Sequence, residues 1–445
     1  DDSAKVKRRQ FGKLSVIHAE SCPVGASGQL GLVDVVHRRI ADRQASGRQV
    51  ERGRLARSEV RGGRATGDGQ VVDHGSAVDD VQGPTHGHVD RAGGDLELAA
   101  VSLQRTHGGH DDGAARPHQL RLAWRGHAAP FVDGVTAALV GVHNVDTHLG
   151  FWRDELGYEV VDSGVINAAT AKALYKVDGE IEAWQMAPAG ADTGQVWFIK
   201  TPNSAALTPK YPHTSEWGYH ALDLYTRDVM ATHSQLFPKG WQWPALPQAY
   251  GVPFGDKVIE ITEGFCWGPE GTDIVFVEAT NERPTHAWGT NPKLPYTELT
   301  SVVCGVKDVE LAKEFFGPEG LGMSIWYDVS FVQDGVNLIA ELPQGSNVRL
   351  AFVAGSKTAR IELIHVHDLP PRADTRAQQR PGQVLGHMGW SFVTPDLDGA
   401  MKRIVEKKGA LISDVVTTND PLHGNARVIA AHTPEGAFIE LWERV

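Results

Sequence analysis

A strand-like apolar stretch followed by a helix-like apolar stripe is the pattern that organises this sequence. In its first occurrence, Val145, Leu149, Trp152 and Leu156 follow one another at intervals of three or four residues. This spacing places the four side chains on one face of a helix. Gly157 follows the last of them and is typical of a helix end, so the pattern predicts a helix over this stretch.

The same strand-to-helix pattern occurs four times. A short polar residue, Asn144, Asp228, Asp308 or Asp396, stands at each transition, and successive copies are 84, 80 and 88 residues apart. An oxygen-bearing side chain at that position accepts hydrogen bonds from the free N–H groups of a helix's first turn. We therefore predict four helices that begin directly after these residues, within four copies of one structural unit.

Two of the copies also end alike, with a Pro-Glu-Gly turn at 269–271 or 434–436 followed by an apolar strand. Proline fixes φ and glycine accepts positive φ, so this tripeptide is typical of a turn. Each copy then reads β-α-β-β-β over roughly 60–80 residues. We predict an α+β protein in which units 1 and 2 form one domain over 134–282, and units 3 and 4 form a second over 295–445.

Residues 1–130 differ from the rest of the chain. They contain no Met, Asn or Tyr and few Lys beside many Arg, and their apolar positions follow neither the helical nor the strand period. A segment without stable structure is one interpretation, and translation of GC-rich DNA outside the true reading frame is the other. Neither assigns a function. A mass spectrum of the native protein, showing whether peptides from this stretch exist, would decide between them.

Bulk properties exclude several classes of protein. The net charge of −12 argues against nonspecific nucleic-acid binding. No apolar run approaches the roughly 20 residues of a membrane-spanning helix. Cys22, Cys266 and Cys304 are far apart, which argues against a disulfide scaffold or a cysteine-built zinc site. We expect a cytoplasmic protein with neither nucleic-acid nor membrane partners.

The strand that begins the fourth copy contains a histidine among small residues. Alternation places Met388, Trp390 and Phe392 on one face and His387 on the other, beside Gly389. An imidazole in such surroundings suits a metal or substrate site. A lone histidine is weak evidence, so its interpretation depends on partners elsewhere in the chain.

Tandem β-α-β-β-β units with a strand–Asp–helix signature resemble the vicinal oxygen chelate superfamily, which includes glyoxalase I, extradiol dioxygenases and antibiotic-resistance proteins. The resemblance covers residues 134–445 and is closest to glyoxalase I in units 3 and 4. There it implies metal ligands at Glu362, His387 and Glu440, and it makes Glu440 the proton-transfer base as well. Ser301 stands at the fourth ligand position and is a poor ligand for a divalent ion.

Two carboxylates and an imidazole suit Zn²⁺, Fe²⁺, Mn²⁺, Ni²⁺ or Co²⁺ and leave coordination positions open. Such a metal acts as a Lewis acid, and Glu440 beside it could move a proton to or from carbon. Strand alternation places Glu362 on one face with Arg360 and Ile364. The alternative interpretation is that both glutamates are exposed strand residues and His387 is a buried, hydrogen-bonded imidazole.

Further polar residues could surround such a centre. We expect Ser301, His220, His365 and Trp390 to contact a substrate or to support the metal ligands. His423, near the last hairpin, receives less weight. In units 1 and 2 the corresponding metal positions are mostly apolar, so we place the site in units 3 and 4.

The resemblance implies a metal-dependent glyoxalase-like lyase or isomerase acting on a small oxygenated substrate, and Trp326 with other tryptophans favours an aromatic one. An extradiol ring-cleaving dioxygenase is the second hypothesis, although its metal needs a histidine near Ser301. A metal-free small-molecule binding or resistance protein is the third, because one fold hosts many chemistries. The sequence leaves open whether the units pair within one chain or across a homodimer.

Overall fold

The computed structural model describes residues 130–279 and 284–445 of the 445-residue chain. The predictions for segment 1–130 therefore lie outside the described residues, apart from Pro130. The strands are β1 (Ala137–Gly141), β2 (Glu159–Ile166), β3 (Ile181–Ala187), β4 (Gln195–Lys200), β5 (Gly218–Thr226), β6 (Gln248–Phe254), β7 (Lys257–Trp267), β8 (Asp273–Ala279), β9 (Tyr296–Gly305), β10 (Ser324–Val332), β11 (Asn347–Ala354), β12 (Arg360–Val366), β13 (Gly386–Val393), β14 (Ala410–Leu411), β15 (Val416–Asp420), β16 (Gly424–His432) and β17 (Phe438–Arg444).

Short helices connect these strands. They are α1 (Val145–Leu149, continued by a π-helical turn over Gly150–Glu155), α2 (Ala168–Tyr175), α3 (Val229–Leu236), α4 (His286–Thr290), α5 (Val309–Phe316), α6 (Asp334–Ile339) and α7 (Leu397–Glu406). None of these helices is long and apolar enough to cross a membrane.

The strands form two large sheets, each built from two units. The 1/4 sheet combines units 1 and 4 in the order β14-β16-β17-β13-β1-β4-β3-β2, with β15 paired to β16. The 2/3 sheet combines units 2 and 3 in the order β10-β11-β12-β9-β5-β8-β7-β6. The predicted α+β class and the four β-α-β-β-β units are confirmed.

The predicted pairing of units within 134–282 and 295–445 differs from the structure. Strand β1 pairs antiparallel with β13, and β5 pairs antiparallel with β9, with Asp223 opposite Ser301. The first strand of each unit is buried along nearly its whole length. Alternation cannot identify the neighbour of a strand that is apolar on both faces, so proximity in sequence suggested the wrong partner.

The two Pro-Glu-Gly turns nevertheless connect units that are adjacent in sequence. The Glu270 carboxylate accepts hydrogen bonds from the backbone N–H groups of His143 and Asn144 at 2.7 and 3.1 Å, at the start of α1. The Glu435 carboxylate accepts one from the N–H of Asp308 at 2.9 Å, at the start of α5. A carboxylate at a helix N-terminus satisfies free N–H groups and interacts favourably with the helix dipole. These equivalent contacts explain why the two turns have the same sequence.

All four predicted helix starts are confirmed. The side chains of Asn144, Asp228, Asp308 and Asp396 each accept a hydrogen bond from the backbone N–H three residues further on, at 3.2, 2.8, 3.0 and 2.8 Å. The repeated polar residue is therefore a helix cap in every unit.

Replacing Asp308 by alanine tests these caps. The Leu311 N–H loses its acceptor, so we expect the free energy of unfolding to fall by about 1 kcal/mol. Asp308→Asn keeps a capping oxygen and should cost clearly less. Urea unfolding followed by circular dichroism measures both variants, and equal losses would contradict the capping role.

The main apolar core contains buried residues of all four units. Hydrogen bonds also cross between the sheets. The Tyr158 hydroxyl donates to the Thr297 carbonyl oxygen at 2.9 Å, and the Tyr219 hydroxyl donates to that of Phe438. Trp390 packs edge-on against Tyr219, with 4.8 Å between the ring centroids. The sheets therefore share one core.

Candidate functional site

One face of the 2/3 sheet encloses a cavity of about 150 Å³. Valine, leucine and isoleucine side chains from both units make most of its wall apolar. Trp326, which is 38% exposed, also lines it. The lining contains six other aromatic residues: Tyr225, Tyr250, Phe254, Phe265, Tyr327 and Phe352. An apolar cavity of this volume is large enough for a single-ring molecule such as benzene.

Asp223 and Glu362 lie together in this cavity. Asp223 is on β5 opposite Ser301 of β9, and Glu362 is on β12, which pairs with β9 on its other side. The two carboxyl groups are hydrogen-bonded to each other. Burial raises the pKa of both, and the charge of Glu362 raises the pKa of Asp223 further. Two carboxylates this close repel each other strongly when both are ionised, which favours the protonated form of one of them.

Two further acids line the cavity. Glu263 on β7 accepts a hydrogen bond from the Tyr250 hydroxyl on β6, and burial raises the pKa of Glu263 to about 8. Burial likewise raises the pKa of Asp273 on β8 to about 8. Both acids are therefore mainly protonated at pH 7. The cavity is less negative than its four acidic residues suggest.

Arg360 brings a positive charge to the same site. Its Nε–H donates to the Ser301 hydroxyl oxygen at 2.8 Å. Its guanidinium lies over the rings of Phe352 and Trp326, 3.7 and 4.9 Å from the ring centroids. The charge of Arg360 partly offsets the rise that burial causes in the pKa of Glu362. Ser301, which the resemblance placed at a metal-ligand position, is thus a hydrogen-bond partner of Arg360.

Sequence analysis identified the unit 3 side of this cavity. Strand alternation placed Glu362 with Arg360 and Ile364, and all three line the cavity, as do Ser301 and His220. The ring Nε2–H of His220 donates to a backbone carbonyl oxygen at 2.9 Å, and burial lowers its pKa to about 4. His220 is therefore a neutral part of the wall.

The acids of unit 2, Asp223, Glu263 and Asp273, were not predicted. Each lies on a strand among apolar residues, and a carboxyl group in a buried strand needs a partner. An acidic residue within an apolar strand was therefore the sequence feature that could have indicated these three acids. It did not indicate a site, because the expected pairing of unit 2 with unit 1 placed Asp223 away from Glu362.

His387 and Trp390 lie where the 1/4 sheet meets β5. The Trp390 indole N–H donates to Nε2 of His387 at 3.1 Å, and the Nδ1–H of His387 donates to the His220 carbonyl oxygen at 3.3 Å. Burial lowers the pKa of His387 to about 3, so its ring is neutral. Both ring nitrogens are used in hydrogen bonds. The structure therefore favours the interpretation of His387 as a buried, hydrogen-bonded imidazole.

Glu440 belongs to a buried polar network on the 1/4 sheet. Its two carboxylate oxygens accept hydrogen bonds from the Tyr175 hydroxyl at 2.8 Å and from Nε2 of His423 at 3.0 Å. Nδ1 of His423 donates to Asp420 at 3.0 Å. Burial alone would lower the pKa of His423, but the charge of Glu440 and hydrogen bonds to both acids raise it to about 10. His423 therefore carries a proton at neutral pH.

Helix α2 closes this network. It lies between β2 and β3, packs against β15 and β16, and brings Tyr175 onto Glu440. The repeat pattern did not predict this helix.

His365 also differs from its expected role. Its Nδ1–H donates to the Val306 carbonyl oxygen at 3.0 Å, at the end of β12.

Comparison with known proteins adds only structural matches, since no protein-family model and no curated protein sequence matches the chain. Glyoxalase I from Zea mays is 14% identical, and the match covers 70% of this chain and 92% of that chain with a TM-score of 0.47. A putative dioxygenase from Bacillus subtilis is 13% identical over 71% and 86%, also with a TM-score of 0.47. TnmS3, an antibiotic binding protein from Streptomyces sp. CB03234, is 19% identical over 34% and 98%, with a TM-score of 0.22.

Four β-α-β-β-β units joined two to a sheet are the architecture that the sequence resemblance implied. The observed architecture therefore agrees with the fold that the resemblance implied. This statement concerns the fold only, because one fold supports many activities. Whether a vicinal oxygen chelate metal centre fits this chain depends on its own side chains.

The predicted ligands Glu362, His387 and Glu440 do not converge. Glu362 is on the 2/3 sheet and the other two are on the 1/4 sheet, each with separate hydrogen-bond partners. Across residues 130–279 and 284–445, no group of three or more His, Cys, Asp or Glu is arranged to hold a metal ion. In the cavity, Asp223 and Glu362 are hydrogen-bonded to each other and Ser301 is hydrogen-bonded to Arg360. This donor set does not fit a divalent metal.

Proposed function

We propose that the chain is a metal-independent binding protein for a small, single-ring organic molecule, which it holds in the cavity of the 2/3 sheet. The observation that carries this proposal is the cavity itself. It is apolar, partly enclosed and lined by aromatic residues, and it has a few convergent polar groups. These are the usual features of a small-molecule site.

The wall near Arg360 is suited to an aromatic ring. Trp326 stacks on Phe352 with 5.4 Å between centroids and an interplanar angle of 15°. Tyr327 and Phe254 stack nearby with an interplanar angle of 12°. Aromatic side chains give a ring-shaped ligand a large contact area at low conformational cost.

The two metal-dependent alternatives lack this support. A glyoxalase-like lyase and an extradiol dioxygenase both need side chains that are available to hold a metal. In the 2/3 sheet, the hydrogen bonds between Asp223 and Glu362 and between Ser301 and Arg360 occupy the groups that would supply such ligands. The metal-free binding hypothesis requires none of these groups to change partners.

Trp326→Ala tests the site. Titration calorimetry with 2-phenylethanol should show wild-type binding that weakens roughly three- to tenfold in the variant, because one aromatic contact is lost. Trp184→Ala is the matched control, since Trp184 lies on β3 of the 1/4 sheet. Equal weakening in both variants, or no binding by the wild-type chain, would refute the proposed site.

A further inference from the structure

Building on the binding role proposed above, we infer that the ligand is a small aromatic monoamine, bound as its ammonium ion by the carboxyl groups of Asp223 and Glu362. Three features of the cavity support this ligand: hydrogen-bond acceptors without partners, more acidic than basic side chains, and the size of the space.

Two buried acceptors in the cavity wall have no hydrogen-bond partner among the described residues. They are Oδ1 of Asp223 and Oδ1 of Asp273, and each residue is only 5% exposed. The Tyr327 hydroxyl is also without a partner. Leaving a buried acceptor unsatisfied costs about 1–3 kcal/mol. A ligand that enters with several N–H donors removes this cost, and an ammonium group has three.

The ionisable groups of the cavity favour a cation over an anion. Four acids face it: Asp223 on β5, Glu263 on β7, Asp273 on β8 and Glu362 on β12. The other ionisable side chains of the lining are His220 and Tyr225 on β5, Tyr250 on β6, Tyr327 on β10 and Arg360 on β12. Because burial keeps His220 neutral, Arg360 is the one cationic side chain among these lining residues.

Arg360 can balance the charge of only one of these four acids. An entering ammonium ion brings a counter-charge and three N–H donors to the carboxyl groups of Asp223 and Glu362, so fewer acids and acceptors are buried without a partner in the complex. An anion would instead enter a cavity whose wall is mainly acidic.

Because Arg360 is a cation, a carboxylate is the main alternative to an amine as the ligand. Its guanidinium already donates to Ser301 and lies flat against Phe352, 3.7 Å from the ring centroid. An anion at Arg360 would compete with Ser301 and Phe352 for the guanidinium, whereas an ammonium ion at Asp223 leaves these contacts intact. The cavity of about 150 Å³ restricts the apolar part of the ligand to about one ring.

Three matched probes test the inference: 2-phenylethylamine, 2-phenylethanol and phenylacetate, titrated calorimetrically into the full chain at pH 7.5. We expect the amine to bind at least tenfold more tightly than the alcohol, and phenylacetate to bind most weakly. Equal affinities for amine and alcohol, or tightest binding of phenylacetate, would overturn the amine assignment and leave the binding role standing. Failure of all three to bind would overturn both.

The double variant Asp223→Asn/Glu362→Gln keeps the shape of the pair without its charge. It should bind 2-phenylethanol as the wild type does and lose the preference for the amine. A variant that binds the alcohol normally and still prefers the amine would overturn the role of the pair. The preference of the wild-type chain for 2-phenylethylamine over 2-phenylethanol tests the amine assignment independently of how well this variant folds.

Discussion

His423→Ala is expected to lower the free energy of unfolding by about 3–5 kcal/mol. His423 is buried between Asp420 and Glu440 and forms a hydrogen bond of 3.0 Å with each carboxylate. Alanine removes the positive charge and leaves two buried acids without a counter-charge, which is far more costly than removing an exposed ion pair. Guanidinium-induced unfolding measures the loss.

His365→Ala is the control for this variant. His365 is half-buried and forms a hydrogen bond with the Val306 carbonyl oxygen, so its removal should cost only about 1 kcal/mol. If His423→Ala costs no more than His365→Ala, the network around Glu440 does not stabilise the 1/4 sheet. The sequence resemblance made Glu440 a catalytic base, whereas its buried contacts with Tyr175 and His423 predict a structural role.

The second large effect is a loss of stability as the pH rises from about 6.5 to 9. The pKa of His423 is raised from 6.5 to about 10. Its contribution to the free energy of unfolding is therefore complete below pH 6.5 and is lost as the pH approaches 10. The pKa values of Glu263 and Asp273 are raised from 4.5 and 3.8 to about 8. Their contributions are complete below about pH 4 and are lost as the pH rises through 8. Each group lowers the free energy of unfolding by about 1.4 kcal/mol per pH unit within its window.

The buried neutral histidines act at the acid end instead. The pKa values of His220 and His387 are lowered from 6.5 to about 4 and about 3. Their contributions are present above pH 6.5 and are lost as the pH falls towards those values. They therefore do not offset the loss above pH 6.5.

Scanning calorimetry between pH 6 and 9 measures this profile. We expect the Tm to fall steadily above pH 6.5. Glu263→Gln has the shape of the protonated acid but cannot ionise. The fall in Tm should therefore be smaller in this variant, by the contribution of one group. A Tm that stays constant or rises between pH 6.5 and 8 would contradict the buried-acid account of the cavity.

The fold was largely predictable because its signals are local. Each helix start depends on a side chain that caps its own first turn, as Asp308 caps α5. The pairing of the sheets depends on contacts between residues far apart in sequence, such as Ala137 with Ser391. A strand that is buried on both faces contains no pattern that distinguishes one neighbour from another.

The need to know which strands are neighbours also explains which residues of the candidate site could be predicted. Glu362 was placed correctly by alternation within its own strand, whereas its partner Asp223 could be found only once unit 3 was paired with unit 2. His387 and Glu440 were chosen by position within the repeat. Their real partners, Trp390 at i+3 and Tyr175 on an inserted helix, are determined by tertiary packing.

The central claim is that this chain binds its ligand in the cavity of the 2/3 sheet without a metal. The most direct test is a calorimetric titration of 2-phenylethylamine into the chain, first in excess chelator and then with added Zn²⁺, Fe²⁺, Mn²⁺, Ni²⁺ or Co²⁺. We predict binding in the presence of chelator with a Kd that the metals leave unchanged. Binding that appears only after one of these metals is added would contradict the claim.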